Sequence, residues 1–298
     1  MFSQGQYNKK KRVVHNYKKK PSKTMKGART LHLNAAFLHF GLLMTVIIFT
    51  SISSVDTNVS LLTYTPHITS KSANTNIDLD RSYIGVRENG CLNLSILLGA
   101  VCVVTMVAHL LYALYAKKYS MEISNSMNRF RWFEYAISAS LMMVIIALLC
   151  GVRDRSVLIL LFGGIAMLMA IGHLSEILSA GSAVCSMVLG WLVLCVVWYV
   201  VLGQFFDNIG SDSNAPASLS ALVFVLFAFY ASFGVVQTLF VVRRYRGVNV
   251  DFGNVDKTFI VLSFVSKAIL VLWCLFGVFV GGVDWLHINP LLKPTLSR

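Results

Sequence analysis

Charge is what this sequence has least of. Only 13% of its 298 residues are Asp, Glu, Lys or Arg, while 56% are hydrophobic, above the roughly 45–50% apolar content of soluble domains. Gly-rich phosphate-binding motifs are absent, no segment repeats at a period of about 20–50 residues, and nothing indicates a soluble catalytic domain. What the chain has instead is apolar runs of the length a bilayer requires, about 20 residues each. Seven are marked, at 31–54, 93–116, 132–150, 156–178, 183–206, 218–242 and 258–280. One all-α bundle of seven membrane helices takes up nearly the whole chain.

The formal net charge of +13 raises the question of nucleic acid, but the placement of the basic residues marks a topology. Ten precede the first span (Lys9, Lys10, Lys11, Arg12, Lys18, Lys19, Lys20, Lys23, Lys26 and Arg29). Four more surround the second-to-third connection (Lys117, Lys118, Arg129, Arg131), and four the sixth-to-seventh (Arg243, Arg244, Arg246, Lys257). The opposite side holds only Lys71, Arg81, Arg87, Arg153, Arg155, Lys293 and Arg298. The positive-inside rule then puts the N-terminus in the cytoplasm and, after seven spans, the C-terminus outside. The expected organisation is a basic cytoplasmic tail over 1–30, disordered or on the membrane surface, a membrane domain over 31–280, and an outer tail over 281–298. The basic clusters suit a topogenic tail beside anionic lipid, and no nucleic-acid partner is expected.

The outer loop, 55–92, carries two β-prone stretches, Leu61 to Thr65 and Ser82 to Val86, separated by a polar segment. That pattern predicts a small hairpin outside the membrane. Asn58-Val59-Ser60 and Asn93-Leu94-Ser95 match a glycosylation acceptor, a pattern too short to carry weight. Cys91 and Cys150 fall at the outer ends of neighbouring spans, where a disulfide is topologically open, and two free thiols are equally compatible with the spacing. Gly163, Gly164, Ala166, Ala170 and Gly172 in the fourth span permit close helix approach, within the bundle or across a dimer.

Ionisable groups inside a bilayer are expensive and mark function. Four stand out: His39 in the first span, His109 in the second, Glu134 in the third and Lys267 in the seventh. At 1.5 Å per residue from the nearest basic anchors, His39 and Lys267 lie about 15 Å deep and His109 about 12 Å. Glu134 is shallower, but helical side chains lean toward the helix N-terminus, so the Lys267 ammonium points toward Glu134 past Ser263, one turn away. Bland readings stand beside this one: a snorkelling lysine, Glu134 paired with Arg131 at the interface, and histidines that only join helices.

A lone buried lysine opposite one carboxylate suits one chemistry. Desolvation favours the neutral amine, which can condense with an aldehyde. The protonated product is a buried cation, for which Glu134 supplies the anion and Ser263 a hydrogen bond. A long polyene aldehyde needs aromatic walls, and Trp191, Trp198, Phe224, Phe227, Phe229, Tyr230 and Phe233 offer them.

Arg131-Trp132-Phe133-Glu134-Tyr135, running on into Ala136-Ile137-Ser138-Ala139-Ser140, resembles the third-helix signature of heliorhodopsins, and Ile260 to Lys267 (IVLSFVSK) resembles their retinal-lysine helix. The two histidines, the loop after the first span and the inverted topology fit as well. The resemblance implies all-trans retinal on Lys267 and Glu134 as counterion. It also implies a pocket involving Ser263, His39, His109, Tyr135, Ser138, Met142, Trp191, Phe229 and Tyr230, a slow photocycle and a homodimer. The expected function is a light sensor, not an enzyme, acting through a cytoplasmic signalling partner. Span three has no second carboxylate after Glu134, and Ser263 stands one turn before Lys267, so the paired acids of an outward proton pump are missing. The alternative is light-gated proton or ion conduction.

Overall fold

The computed structural model describes residues 21–53, 55–67, 83–211 and 217–280. The elements in chain order are α1 (Pro21–Ile52), β1 (Asn58–His67), β2 (Tyr83–Asn93), α2 (Leu94–Leu114), α3 (Ala116–Ser124), α4 (Arg129–Leu149), α5 (Arg155–Ile177), α6 (Ala180–Ser211), α7 (Ala217–Tyr245) and α8 (Phe252–Cys274), which continues as π-helix over Leu275–Val280. Seven of these helices, all but α3, are long and apolar enough to cross a membrane. The protein is therefore an integral, multi-pass membrane protein.

Side-chain caps set the helix starts. Asn93 accepts from the Ile96 amide, Asn128 from Arg131, Asp154 from Ser156 and Val157, and Asp251 from Gly253, each satisfying amides the helix itself leaves unbonded. α4 stops at Cys150, followed by Gly151 at φ 89°. A side chain there would also strike Asn208, whose Nδ2 donates to the Cys150 carbonyl at 2.6 Å.

Neighbouring helices close a ring, α1–α2–α4–α5–α6–α7–α8 and back to α1. α4 is its most buried member: 72% of its most apolar window is buried, against 28–44% in the other six spans. That burial explains why charged residues at the start of α4 find partners on several helices.

β1 and β2 pair antiparallel, from Asn58 opposite Asn93 to His67 opposite Tyr83, with a register shift between Ser60 and Leu62. The hairpin is longer than the two stretches expected, because pairing carries both strands down to the membrane helices. Val59 and Leu61 join the bundle core, Leu62 is buried as well, and the Leu62 amide donates to the Arg153 carbonyl at 2.9 Å. The hairpin is thus docked on the α4–α5 turn. Ser82 and the polar segment before it lie outside the described residues.

Two boundaries differ from the expectation. α1 begins at Pro21, so residues 21–30, read as part of the polar tail, are helical; good helix formers such as Lys23, Lys26 and Arg29 let the helix run beyond the apolar stretch. The second-to-third connection holds a short helix, α3, whose buried residues are Tyr119 and Glu122. The tails over 1–20 and 281–298 lie outside the described residues. Cys91 and Cys150 are both free.

Candidate functional site

Lys267 lies midway along α8, 2% exposed. Its Nζ donates to Glu134 Oε1 at 2.9 Å and to Ser263 Oγ at 2.8 Å, and it stands 5.3 Å from the centre of the Tyr135 ring, within cation–π range. Glu134 Oε1 accepts two further bonds, from Thr105 at 2.9 Å and Ser138 at 2.7 Å. The carboxylate is thus bonded to α2, α4 and α8 at once. Such satisfaction is what a charge needs in a site with no water-like dielectric. The lean of the lysine toward the N-terminal end of its helix brings it past Ser263 to Glu134, as the helix geometry predicts.

Arg131, one turn before Glu134, does not pair with it. Its guanidinium instead contacts Glu176 of α5 and, at 2.5 Å, Asp256 of α8, while stacking 4.1 Å from the Phe259 ring centre. Asn128 Nδ2 and the Tyr119 hydroxyl donate to Asp256 at 2.9 and 2.6 Å, and the Asn128 amide donates to Glu176 at 2.8 Å. Arg244 donates to the carbonyls of Ser175 and Glu176. This cluster joins α3, α4, α5, α7 and α8 at the basic end. Glu176 and Asp256 escaped the sequence reading because each lies within a turn of a helix end, where an acid looks interfacial. Burial alone distinguishes them.

His39 and His109 meet, their rings stacked at 5.7 Å, and His39 also packs edge-on against Phe264. Thr105, which donates to Glu134, is one turn from His109 on α2. A third histidine, His32, joins them, with its Nδ1 at 3.0 Å from that of His109. It sits two turns before His39, and only that spacing could have drawn attention to it.

Beside Lys267 opens a mostly apolar cavity, the setting in which small molecules ordinarily bind. Of the residues named from the sequence, Ser263, Tyr135, Ser138, Met142, Trp191, Tyr230 and Phe233 line it, joined by Trp132, Gln237 and Phe259. The sequence suggested Phe229, Trp198, Phe224 and Phe227 as walls too, and none is in the lining. The cavity face of α7 repeats at Tyr230, Phe233, Gly234 and Gln237, the three-and-four spacing of one helix stripe, and Phe229 is rotated off it. Trp198 instead packs on Phe227 and Tyr230. Gly172 lies under the six-membered ring of Trp132, where any Cβ would collide; the glycine lets α5 support the cavity wall. Gly164 abuts Val197 of α6, so part of the small-residue stripe serves packing within the bundle.

A buried amine paired with one carboxylate, set beside an apolar aromatic cavity on the last of the seven spans among the described residues, is the arrangement of the rhodopsin class. Two solved structures share the fold: the transmembrane domain and linker region of Salpingoeca rosetta rhodopsin phosphodiesterase (TM-score 0.59, 16% identity, covering 91% of this chain and 76% of that one), and the transmembrane domain of that protein (TM-score 0.55, 17% identity, 91% and 89%). No curated protein sequence matches. The heliorhodopsin family model matches residues 28–287, and the chain belongs to the heliorhodopsin family. Membership carries a light-sensing role and a retinal chromophore. The residues fit that chromophore: the lining is apolar apart from Lys267, Gln237 and hydroxyl or indole groups, and an amine is in place to hold an aldehyde.

Proposed function

We propose that the protein is a light sensor that holds all-trans retinal through Lys267, with Glu134 as counterion, and signals without pumping ions. The observation that supports this most directly is Lys267 itself, buried at the cavity and bonded to Glu134 and Ser263. Bound as a protonated Schiff base, retinal supplies visible absorption and a light-driven double-bond isomerisation. Glu134 keeps the proton on Lys267 Nζ. Thr105 and Ser138 fix the carboxylate, Tyr135 is held by its hydroxyl bond to the Phe259 carbonyl at 2.9 Å, and Tyr230 by its bond to the Ala139 carbonyl at 2.7 Å. Trp191, Met142, Trp132 and Phe233 confine the polyene.

Among the described residues, the buried charged side chains are Glu122, Arg131, Glu134, Glu176, Asp256 and Lys267. All lie at Lys267 or on its basic side, so no buried carboxylate continues a path toward the hairpin. That one-sidedness supports a sensor over a pump. The distribution of Lys and Arg puts the basic end in the cytoplasm, where the ion cluster would rearrange slowly and meet a signalling partner. A homodimer and an anionic lipid surface at the basic end belong to the same reading, and no enzymatic activity does; the phosphodiesterase in the neighbours' names is theirs.

Reconstitution with all-trans retinal is expected to give a visible absorption band that is lost completely in Lys267→Ala. A colourless parent, or a coloured variant, overturns the proposal. Proton conduction is the second reading, favoured by the polar side chains between Glu134 and the basic end. Under voltage clamp the sensor predicts silence in light; photocurrents that reverse with voltage and vanish in Lys267→Ala establish the channel instead.

A further inference from the structure

One amide sits in the wall of the mostly apolar cavity with half of its hydrogen bonding unmet. Gln237 of α7 is 3% exposed and lines the cavity. Its Nε2 donates to Ser175 Oγ at 2.9 Å, while its Oε1 is buried with no partner. Ser175 fixes which way the amide points, because its one hydroxyl hydrogen is donated to the Gly172 carbonyl at 2.6 Å. Toward Gln237 that hydroxyl can only accept, so the N–H side of the amide faces it and the carbonyl side is left over. The other polar groups of the wall are engaged. The Tyr135 and Tyr230 hydroxyls donate to backbone carbonyls, the Trp191 N–H to Thr238 at 3.0 Å and Ser266 to the Ser263 carbonyl, while Ser138 and Ser263 serve the Lys267 ion pair. The Trp132 N–H has no bond of ordinary length, but it is a donor and stands toward the Glu176 carboxylate. Among the described residues, Gln237 Oε1 is therefore the one side-chain oxygen of the lining without a donor. Leaving a buried acceptor unpaired is costly. Joining α7 to α5 does not explain it, since Arg244 already does so through the Ser175 and Glu176 carbonyls.

Ser175 belongs to α5, on the far side of the helix ring from α8, so the amide bonded to it faces the part of the cavity remote from Lys267. A ligand held at Lys267 by its aldehyde reaches that part with its opposite end. We infer that Gln237 Oε1 accepts a hydrogen bond from a hydroxyl at that end, so that the cavity selects a retinal hydroxylated on its ring over retinal itself. The inference rests on the retinal reading and adds to it the chemistry of the substrate's ring. A hydroxyl is what the site lacks: a ring ketone brings only another acceptor, and a hydrocarbon ring leaves Gln237 Oε1 unpaired. A site built to bond a hydroxyl rejects the analogue without it far more strongly than an apolar wall rejects the analogue that has one.

A competition for the protein tests this. Retinal-free protein in bilayers is given a limiting, equimolar mixture of all-trans retinal and all-trans 3-hydroxyretinal, and the bound aldehydes are released with hydroxylamine and quantified by chromatography. The same is done with 4-hydroxyretinal, to cover the position of the hydroxyl. The parent is expected to retain one of the hydroxylated aldehydes in about tenfold excess, the worth of one buried hydrogen bond. Gln237→Leu removes the amide while Ser175 keeps its bond to Gly172, and there the preference should vanish or reverse. Colour with plain retinal shows that the variant is folded, and Gln237→Met replaces it if it is not. In the parent, the infrared carbonyl stretch of Gln237, assigned by its loss in Gln237→Leu, should fall in frequency when the preferred hydroxylated aldehyde replaces retinal. Equal retention of all three aldehydes by the parent, the result expected if ordered water already pairs the oxygen, overturns the inference, as does a preference unchanged in Gln237→Leu. A parent coloured equally well by each aldehyde keeps the photoreceptor reading and loses only this inference; a parent coloured by none loses both.

Discussion

Two buried cations lie near the start of α4, and the protein treats them oppositely. Arg131 is held by two carboxylates, Glu176 and Asp256, within a cluster that also binds backbone groups of α4 and α5. Lys267 has one carboxylate, Glu134, and otherwise hydroxyls. A guanidinium stays charged in any protein setting and forks between two acids, so the first site is a permanent clasp across five helices. An amine can lose its proton, react and regain it, so the second site is the one that suits the proposed Schiff base. The lesson is that burial and opposite charge do not by themselves mark a reactive centre. What separates the two is which cation is present and whether a cavity adjoins it.

Breaking the clasp should have the largest effect on stability. Arg131→Met strands two buried carboxylates and is expected to cost about 3–5 kcal/mol, read as a lowered unfolding temperature in detergent with or without retinal. Replacing all three, with Arg131→Met, Glu176→Gln and Asp256→Asn together, should recover most of that loss. A single variant as stable as the parent would show that the cluster does not hold the basic end together.

Removing the proposed counterion should act on colour more than on folding. In Glu134→Gln the absorption band is expected to move, and the pH at which colour is lost on alkalinisation should fall by about one to three, the effect of an opposite charge at this distance. The sign follows from the cation: without its anion, the proton on Lys267 Nζ leaves at lower pH. A spectral titration superimposable on the parent's places the counterion elsewhere. Smallest of the three is Ser263→Ala. It removes one bond to Lys267 while the ion pair stays, costing about 1 kcal/mol and shifting the band less than Glu134→Gln does; an equal or larger shift would make Ser263 the dominant partner.

Much of the site was legible because its members announce themselves singly. An ionisable residue inside an apolar run is conspicuous, and the lean of helical side chains suffices to aim Lys267 at Glu134. Arg131, read as a possible partner of Glu134, was misleading because the two are three residues apart on one helix; in the fold they face different neighbours. Glu176, Asp256 and Tyr119 gave no signal, since an acid or tyrosine near a helix end is ordinarily solvated. Among the aromatics named from the sequence, Tyr230, Trp191 and Phe233 lie in the cavity lining and Phe229 does not, because composition reports how many rings a helix carries and not which way each one points.

The membrane spans, their number, the hairpin after the first span and the lysine opposite a carboxylate were determined by sequence alone. The cost of placing a backbone or a charge in hydrocarbon is a property of each segment by itself, so local hydropathy and charge suffice to read it. The partners of Arg131, the pairing of His32 with His109 and the walls of the cavity were decided only by tertiary structure. Each depends on the rotation of a helix about its axis, where one residue turns the side chain by about 100°. That rotation is set by packing against every neighbour at once, above all for α4, the most buried span, and no single segment encodes it.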